Sequence, residues 1–321
     1  MRYLVTGGGG FIGSHLSEAL LARGDDVLAL DDLSTGAYEN VAHLDDGKRF
    51  RLIVDSVTNA GIVGDCVKDV DAVFHLAAAV GVRLIIDQPV HTIETMVNGT
   101  DVVLRACARY RRPVLITSSS EVYGKGSKVP FSEDDDRVMG ATTKRRWSYA
   151  CSKALDEFLA LAHWYESRLP VFIARLFNTV GPRQTGQYGM VVPRFVQQGM
   201  RGDPITVYGD GQQTRCFAHV DDVVGALMDL MGHEGARGRI FNVGNDEEIS
   251  IAALAERVRD VTGGKSDIVL VPYEQAYGEG FDDMRRRVPD LSRIKQLLGY
   301  APKHDLNAIL ADVVEDLSGS R

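Results

Sequence analysis

Cysteine is scarce: Cys66, Cys107, Cys151 and Cys216 are scattered, with no CxxC spacing. That pattern speaks against a zinc ribbon, a redox dithiol or a disulfide framework, and fits reduced thiols in a cytoplasmic setting. No metal site is expected. No apolar run approaches the roughly 20 residues a membrane-spanning helix needs, and no secretory leader precedes Leu4, so no membrane role is expected. Positive charge is in deficit, with 36 Lys and Arg against 44 Asp and Glu and a net charge of −8. That balance argues against nucleic acid as a partner. An anionic small molecule would need a local basic pocket. Repeats and low-complexity tracts are missing too. What remains is 321 residues, 45% hydrophobic and 25% charged. This is the composition of a soluble globular enzyme, with room for one large or two coupled domains.

What the chain has begins at once. Arg2–Thr6 reads as a short strand, followed by Gly7-Gly8-Gly9-Gly10-Phe11-Ile12-Gly13. An amphipathic helix then runs through Ile12, Leu16, Ala19, Leu20 and Ala22 until Arg23-Gly24 stops it. Strand, glycine turn and helix form the first βα unit of a dinucleotide fold. The glycines permit the tight turn and let the backbone approach a pyrophosphate on the helix amino terminus. Gly7, Gly10, Phe11, Ile12 and Gly13 are therefore candidate cofactor contacts. A second strand at 27–30 ends in Asp31-Asp32, where a carboxylate takes the adenosine ribose hydroxyls and repels a 2′-phosphate. NAD is the expected cofactor, ahead of NADP. A third strand at 50–54 ends at Asp55-Ser56, which would meet the adenine edge. A fourth at 72–76 ends in small residues, so Leu76, Ala77 and Ala78 join the cofactor set. His75, inside that apolar run, reads as a core histidine.

The apolar run at 113–116 delivers Thr117-Ser118-Ser119-Ser120-Glu121 to the carboxyl end of a parallel sheet, where open α/β folds place ligands. Tyr149 and Lys153 stand i and i+4 on a helical pattern and so share a face. An ammonium near a phenol favours the phenolate, as would a positively charged nicotinamide, so Tyr149 is expected to be a base with a lowered pKa. The polar stretch between these motifs reads as an ordered loop over the site or as a lid. Its charge runs at 133–136 and 144–146 read as solvated surface. Strands alternate with helices, and every crossover is long enough for a parallel connection. The fold class is therefore α/β, a doubly wound parallel sheet. From about residue 178 the elements shorten. Residues 1–177 are expected to form the NAD-binding domain and 178–321 a smaller substrate lobe, with some segments returning to the main sheet.

Several motifs now combine. They are Thr6-Gly7-x-x-Gly10-Phe11-Ile12-Gly13, His75-Leu76-Ala77-Ala78, Ser119-Ser120-Glu121-Val122-Tyr123-Gly124, Tyr149-x-x-x-Lys153, Phe177-Asn178-Thr179-Val180-Gly181-Pro182-Arg183, Val207-Tyr208-Gly209-Asp210-Gly211 and Gln213-Thr214-Arg215-Cys216-Phe217. Together they resemble the extended short-chain dehydrogenases acting on nucleotide sugars, over almost the whole chain. The resemblance implies NAD, a nucleoside-diphosphate sugar, and oxidation at sugar C4 with Tyr149 as base. It places Lys153 on the nicotinamide ribose and Ser119 on the C4 hydroxyl. Asn178 and Arg215 would hold the diphosphate, with Arg83, Arg183, Val207 and Tyr208 also in the UDP-sugar site. It further implies a homodimer with a four-helix interface, built from the helix of Met96, Val103 and Leu104 and that of Leu155, Phe158 and Leu159.

Within that family Glu121 discriminates. Plain 4-epimerases need no acid or base beyond C4, whereas a carboxylate implies proton work at C5. The Ser120 to Gly124 motif, Arg146-Trp147-Ser148-Tyr149 and the stretch ending in Arg285-Arg286-Arg287 are similar to UDP-glucuronate decarboxylases. Ser120 stands where thymidine-linked 4,6-dehydratases show an aspartate, and Gly81-Val82-Arg83-Leu84 is closer to uronate 4-epimerases. The expected catalytic set is Ser119, Ser120, Glu121, Tyr149, Lys153 and Arg287, with Glu121 ordering or protonating C5 and Arg287, also a substrate contact, as carboxylate binder or acid. Oxidising C4 of a glucuronate makes a β-keto acid, which loses carbon dioxide. The alternatives are a nucleotide-sugar 4-epimerase and then a 4,6-dehydratase. A third, from another class, is a non-catalytic NAD-binding sensor, against which the intact Ser119–Tyr149–Lys153 set speaks.

Overall fold

A computed structural model describes residues 1–78, 87–186, 189–277 and 283–319. Its strands in chain order are β1 (Arg2–Thr6), β2 (Asp26–Asp31), β3 (Phe50–Val54), β4 (Ala72–His75), β5 (Val114–Ser119) and β6 (Val171–Leu176). A seventh, β7 (Arg239–Val243), joins from far down the chain. All are parallel, in the spatial order β7-β6-β5-β4-β1-β2-β3. The order reverses between β1 and β4, which opens a crevice at the strands' carboxyl ends.

The strands are apolar on both faces because helices cover both. On one face Tyr3, Val5, Phe74, Leu115 and Phe172 pack against α1 (Phe11–Ala22). The same face is covered by the helix Val220–Gly232 through Val223, Leu227 and Leu230. On the other face Leu4, Leu28, Val73, Ile116 and Ile173 meet α2 (Ala60–Lys68), α3 (Pro89–Tyr110) and α4 (Trp147–Ser167). Alternate residues of β1 thus enter different cores, as the pleat requires.

A separate core unites the helices Val191–Arg201, Ile251–Val261 and Leu306–Leu317 through Phe195, Val196, Leu254, Val258, Ile309 and Leu310. The strand Ile205–Tyr208 belongs to this lobe and pairs with Ile268–Val271.

The polar stretch after β5 is ordered by long-range bonds. Phe131 N donates to Val288 O (2.8 Å), and Asp290 N donates to Phe131 O (2.8 Å). Its charge runs are not all solvated, which corrects the sequence expectation. Glu133 is buried and accepts from Asn242 N (2.9 Å), whereas Asp134 is exposed. Arg146 is buried, whereas Lys144 and Arg145 are exposed.

Met96, Val103 and Leu104 of α3 also turn inward. The exposed large apolar residues of α3 and α4 are Val90, Ile93, Leu155, Phe158 and Tyr165. No helix among the described residues is long and apolar enough to cross a membrane.

Candidate active site

The crevice between β1 and β4 opens into a cavity of about 470 Å³. Gly7, with φ of 72°, turns the chain out of β1, and its N–H donates to Leu30 O (2.8 Å). A Cβ on Gly7 would lie 2.8 Å from Ala77 N, and one on Gly13 would lie 2.0 Å from Gly7 O. The bare backbone here forms a cradle under the α1 amino terminus, whose first amides lack intrahelical partners and suit a pyrophosphate. Gly10, Phe11 and Ile12 line the cavity with them.

Asp31 closes this end. Its carboxylate accepts from Gly9 N (2.9 Å) and Leu33 N (2.8 Å), while burial raises its pKa. Asp32, Asp55, Leu76, Ala77 and Ala78 also line the cavity. Ser56 does not: its hydroxyl lies 2.9 Å from Thr58 Oγ1. The donors and clearances present therefore fit a dinucleotide.

At the other end β5 delivers Ser119, whose Oγ accepts from Glu121 N (3.2 Å). The first turns of α4 place Tyr149 and Lys153 on its buried side. Lys153 Nζ donates to Thr117 O (2.9 Å) and pairs with Asp156 at 3.5 Å. Burial raises the Tyr149 pKa, and Glu121 adds to it, while the Ser119 hydrogen bond and Arg287 oppose. In this arrangement the shift is upward rather than the expected lowering, because burial outweighs the opposing groups. Ser120 is corrected as well: it is fully buried, lies outside the cavity lining, and its hydroxyl meets no hydrogen-bond partner among the described residues.

Glu121 is the centre of an ionic cluster. Both of its oxygens accept from Arg146 Nη2 (3.1 Å each), and Oε1 pairs with Arg287. Burial alone would raise its pKa, but Arg146 and Arg287 hold it at about 2. Burial lowers the Arg287 pKa. Arg287 also donates to Asn178 Oδ1, and Asn178 Nδ2 donates to Cys216 O (2.8 Å). Arg146 reaches on to Asp283 Oδ1 (2.7 Å). Asp283 accepts as well from Arg215 Nη2 (2.9 and 3.0 Å) and the Tyr273 hydroxyl (2.9 Å). Arg146, Asp283 and Tyr273 line the cavity and were missed as site residues. Arg146 carried one signal, its place a turn before Tyr149; Asp283 carried none that is local.

The remaining expectations divide. Tyr208 lines the cavity, with the Arg194 guanidinium 4.0 Å from its ring centroid. Val207 does not; it is fully buried in the core of the lobe. Arg183 lines the cavity from the cofactor side, where it pairs with Glu18 of α1 (2.6 Å) and donates to Asn40 O (3.1 Å). Arg83 lies outside the described residues. Apart from these, His219, Asp221 and His304 bring one ligand atom each within 4.8 Å of one another. His219 Nδ1 there accepts from Asp221 N (3.1 Å), which caps a helix.

Similarity to known proteins agrees with this geometry. The family model described as GDP-mannose 4,6 dehydratase matches residues 4–313. A UDP-N-acetyl-alpha-D-glucosaminuronate decarboxylase of Bacillus cytotoxicus is 42% identical over 302 residues, covering 94% of this chain and 92% of the relative. UDP-glucuronic acid decarboxylase 1 of Arabidopsis thaliana is 38% identical over 316 residues, 98% of this chain and 69% of the plant protein. A solved UDP-glucuronic acid 4-epimerase from Bacillus cereus, in complex with UDP-glucuronic acid and NAD, is 28% identical. It superposes with a TM-score of 0.88 over 99% of both chains. By its sheet, its glycine cradle and a match along nearly its whole length, the chain belongs to the GDP-mannose 4,6-dehydratase family, within the extended short-chain dehydrogenases that include the epimerases and dehydratases.

Proposed function

We propose that the chain is an NAD-dependent UDP-glucuronate decarboxylase, which oxidises sugar C4 and releases carbon dioxide to give a UDP-4-keto-pentose or UDP-xylose. The observation that carries this reading is the Glu121 carboxylate held between Arg146 and Arg287, in the same cavity as Ser119, Tyr149 and Lys153. A 4-epimerase working at C4 alone gives such a cluster no task. Bound NAD supplies the acceptor, and later the donor, of the C4 hydride.

The other tasks fall to the chain. Ser119 orients the C4 hydroxyl, and Tyr149 acts as the base that takes its proton. Lys153 holds the nicotinamide ribose. With a ketone at C4 the substrate is a β-keto acid. Its C5–C6 bond breaks, the electron pair passes into the carbonyl as an enolate, and carbon dioxide leaves. A proton then adds at C5. Glu121, with its pKa held at about 2, does not give that proton; Arg287, paired with the same carboxylate, is the group placed to do so. Glu121 instead pairs with both guanidiniums, so neither is fully free for the uronate carboxylate. In the step the negative charge leaves the carboxylate for the enolate oxygen, so weak binding of the carboxylate favours reaction.

A second reading rests on the Bacillus cytotoxicus relative, whose name gives a substrate with an N-acetyl group. The chemistry at C4 and C5 leaves the 2-position untouched, so the same residues serve either uronate. Residues 1–177 hold the dinucleotide and 178–321 the UDP-sugar, with Asn178 and Arg215 on the diphosphate. The four cysteines are all free, which suits the cytoplasm. The chain works as a homodimer through α3 and α4, where Leu155 is 45% and Phe158 60% exposed.

The test incubates purified protein with UDP-glucuronate, its 2-acetamido counterpart, UDP-glucose and UDP-galactose, and reads product masses. Loss of carbon dioxide from a uronate is the expected result. Loss of water, or a conversion at unchanged mass, would move the assignment to a dehydratase or an epimerase.

A further inference from the structure

Lys153 has a neighbour that the reaction does not use. Asp156, almost one helical turn further along α4, is 1% exposed, and its Oδ2 lies 3.5 Å from Lys153 Nζ. Neither of its oxygens accepts a well-formed hydrogen bond among the described residues. Thr100 and Lys153 nevertheless approach closely enough to favour the ionised form. A purely structural carboxylate at this depth is normally saturated with donors.

From Thr100 a line of polar groups runs back to the cofactor cradle. Ala77 N donates to Thr6 Oγ1 (3.2 Å), and Thr6 Oγ1 lies 2.8 Å from His75 Nδ1. His75 Nε2 lies 3.1 Å from Thr100 Oγ1. Burial, helped by Lys153, holds the His75 pKa at about 3, so the ring is neutral. In the neutral ring one nitrogen donates and the other accepts, so His75 links the Thr6 and Thr100 hydroxyls in either tautomer.

On the footing that Tyr149 is the base, we propose that Asp156 is a positioning residue of the active site, holding the Lys153 ammonium and setting the acid limb of activity by its charge. Its own helix faces it with Lys153, Tyr149 and Glu157; α3 contributes Thr100 and β4 the neutral His75. Glu157 is itself spent on Arg175 and Arg137 (2.8 and 2.9 Å). The sign follows from charge. An anionic Asp156 raises the Tyr149 pKa. Burial pushes the Asp156 carboxyl up to about 6, so it changes charge in the acid part of the working range.

The test measures kcat and KM for carbon dioxide release by the holoenzyme from about pH 5 to about pH 9. It compares the native chain with Asp156→Asn, Thr100→Val and Tyr149→Phe, with circular dichroism to verify folding. Asp156→Asn is expected to move the acid limb down by about one pH unit, with KM unchanged. Thr100→Val removes a group that favours the charged carboxylate, so it moves the limb the same way by less. A native limb in Asp156→Asn overturns the proposal, and so does a loss equal at every pH, which damaged packing would give. Tyr149→Phe separates the two claims. Native turnover in that variant would sink the base assignment; an inactive Tyr149→Phe beside an unmoved Asp156→Asn would sink only the role of Asp156. If Asp156→Asn does not fold, Thr100→Val decides, and an unmoved limb there overturns the proposal.

Discussion

A phenol buried as Tyr149 is becomes a base only when positive charge reaches it, and no neighbouring side chain replaces it in that task. Tyr149→Phe is expected to lower kcat about 10²–10⁴-fold with KM little changed, as read by steady-state kinetics. Glu121→Gln keeps the shape and removes the charge that occupies Arg146 and Arg287. Its kcat should fall, and KM for the uronate should fall too, because freed guanidiniums grip the substrate carboxylate. Absorbance of reduced cofactor should then rise ahead of carbon dioxide. A raised KM would instead make Glu121 a direct substrate contact. The same carboxylate sets a pH dependence of stability. Its folded pKa of about 2 lies below the ordinary 4.5. Its contribution is therefore complete above 4.5 and lost as pH falls through 2. Melting temperatures of native and Glu121→Gln chains should differ by a constant amount near neutral pH and approach one another in acid.

Among the elements, the glycine turn is the least tolerant. Gly13→Ala would put a Cβ 2.0 Å from Gly7 O, so the turn must open. Overpacking of about 1–3 kcal/mol should weaken NAD binding roughly tenfold or more, measurable by titration of the cofactor. Light scattering tests the outer face of α4: Phe158→Asp should yield monomers if that face pairs two copies. These two elements also mark what could be read from the sequence. The turn was legible because its chemistry is local, a strand end followed by residues without side chains. The apolar period of α3 told which residues are apolar but not which side faces in, and Met96, Val103 and Leu104, which marked that helix, turn inward. The pairing of Arg146 with Asp283 was illegible for a related reason. They stand 137 positions apart, and only folding gives either one its partner.

At the scale of the whole molecule, one face of the main sheet depends on chain beyond residue 177. Leu115 and Phe172 are covered by Val223, Leu227 and Leu230, and β6 takes β7 along its edge. A fragment of residues 1–177 would present that edge and that apolar face to water, and such edges aggregate. It is expected to be recovered insoluble and without NAD affinity, whereas the full chain stays in solution; a soluble, NAD-binding fragment would refute this. The seventh strand has a further consequence, for inheritance. A single crossover between two relatives at residue 177 would lay one parent's Ile240, Phe241 and Val243 beside the other parent's Phe172, Ile173 and Ala174. The hybrid folds only where both ancestors agree on that seam. The stretch before β7 can therefore pass between lineages as an insert bounded on both sides, leaving residues 239–243 with the sheet they complete.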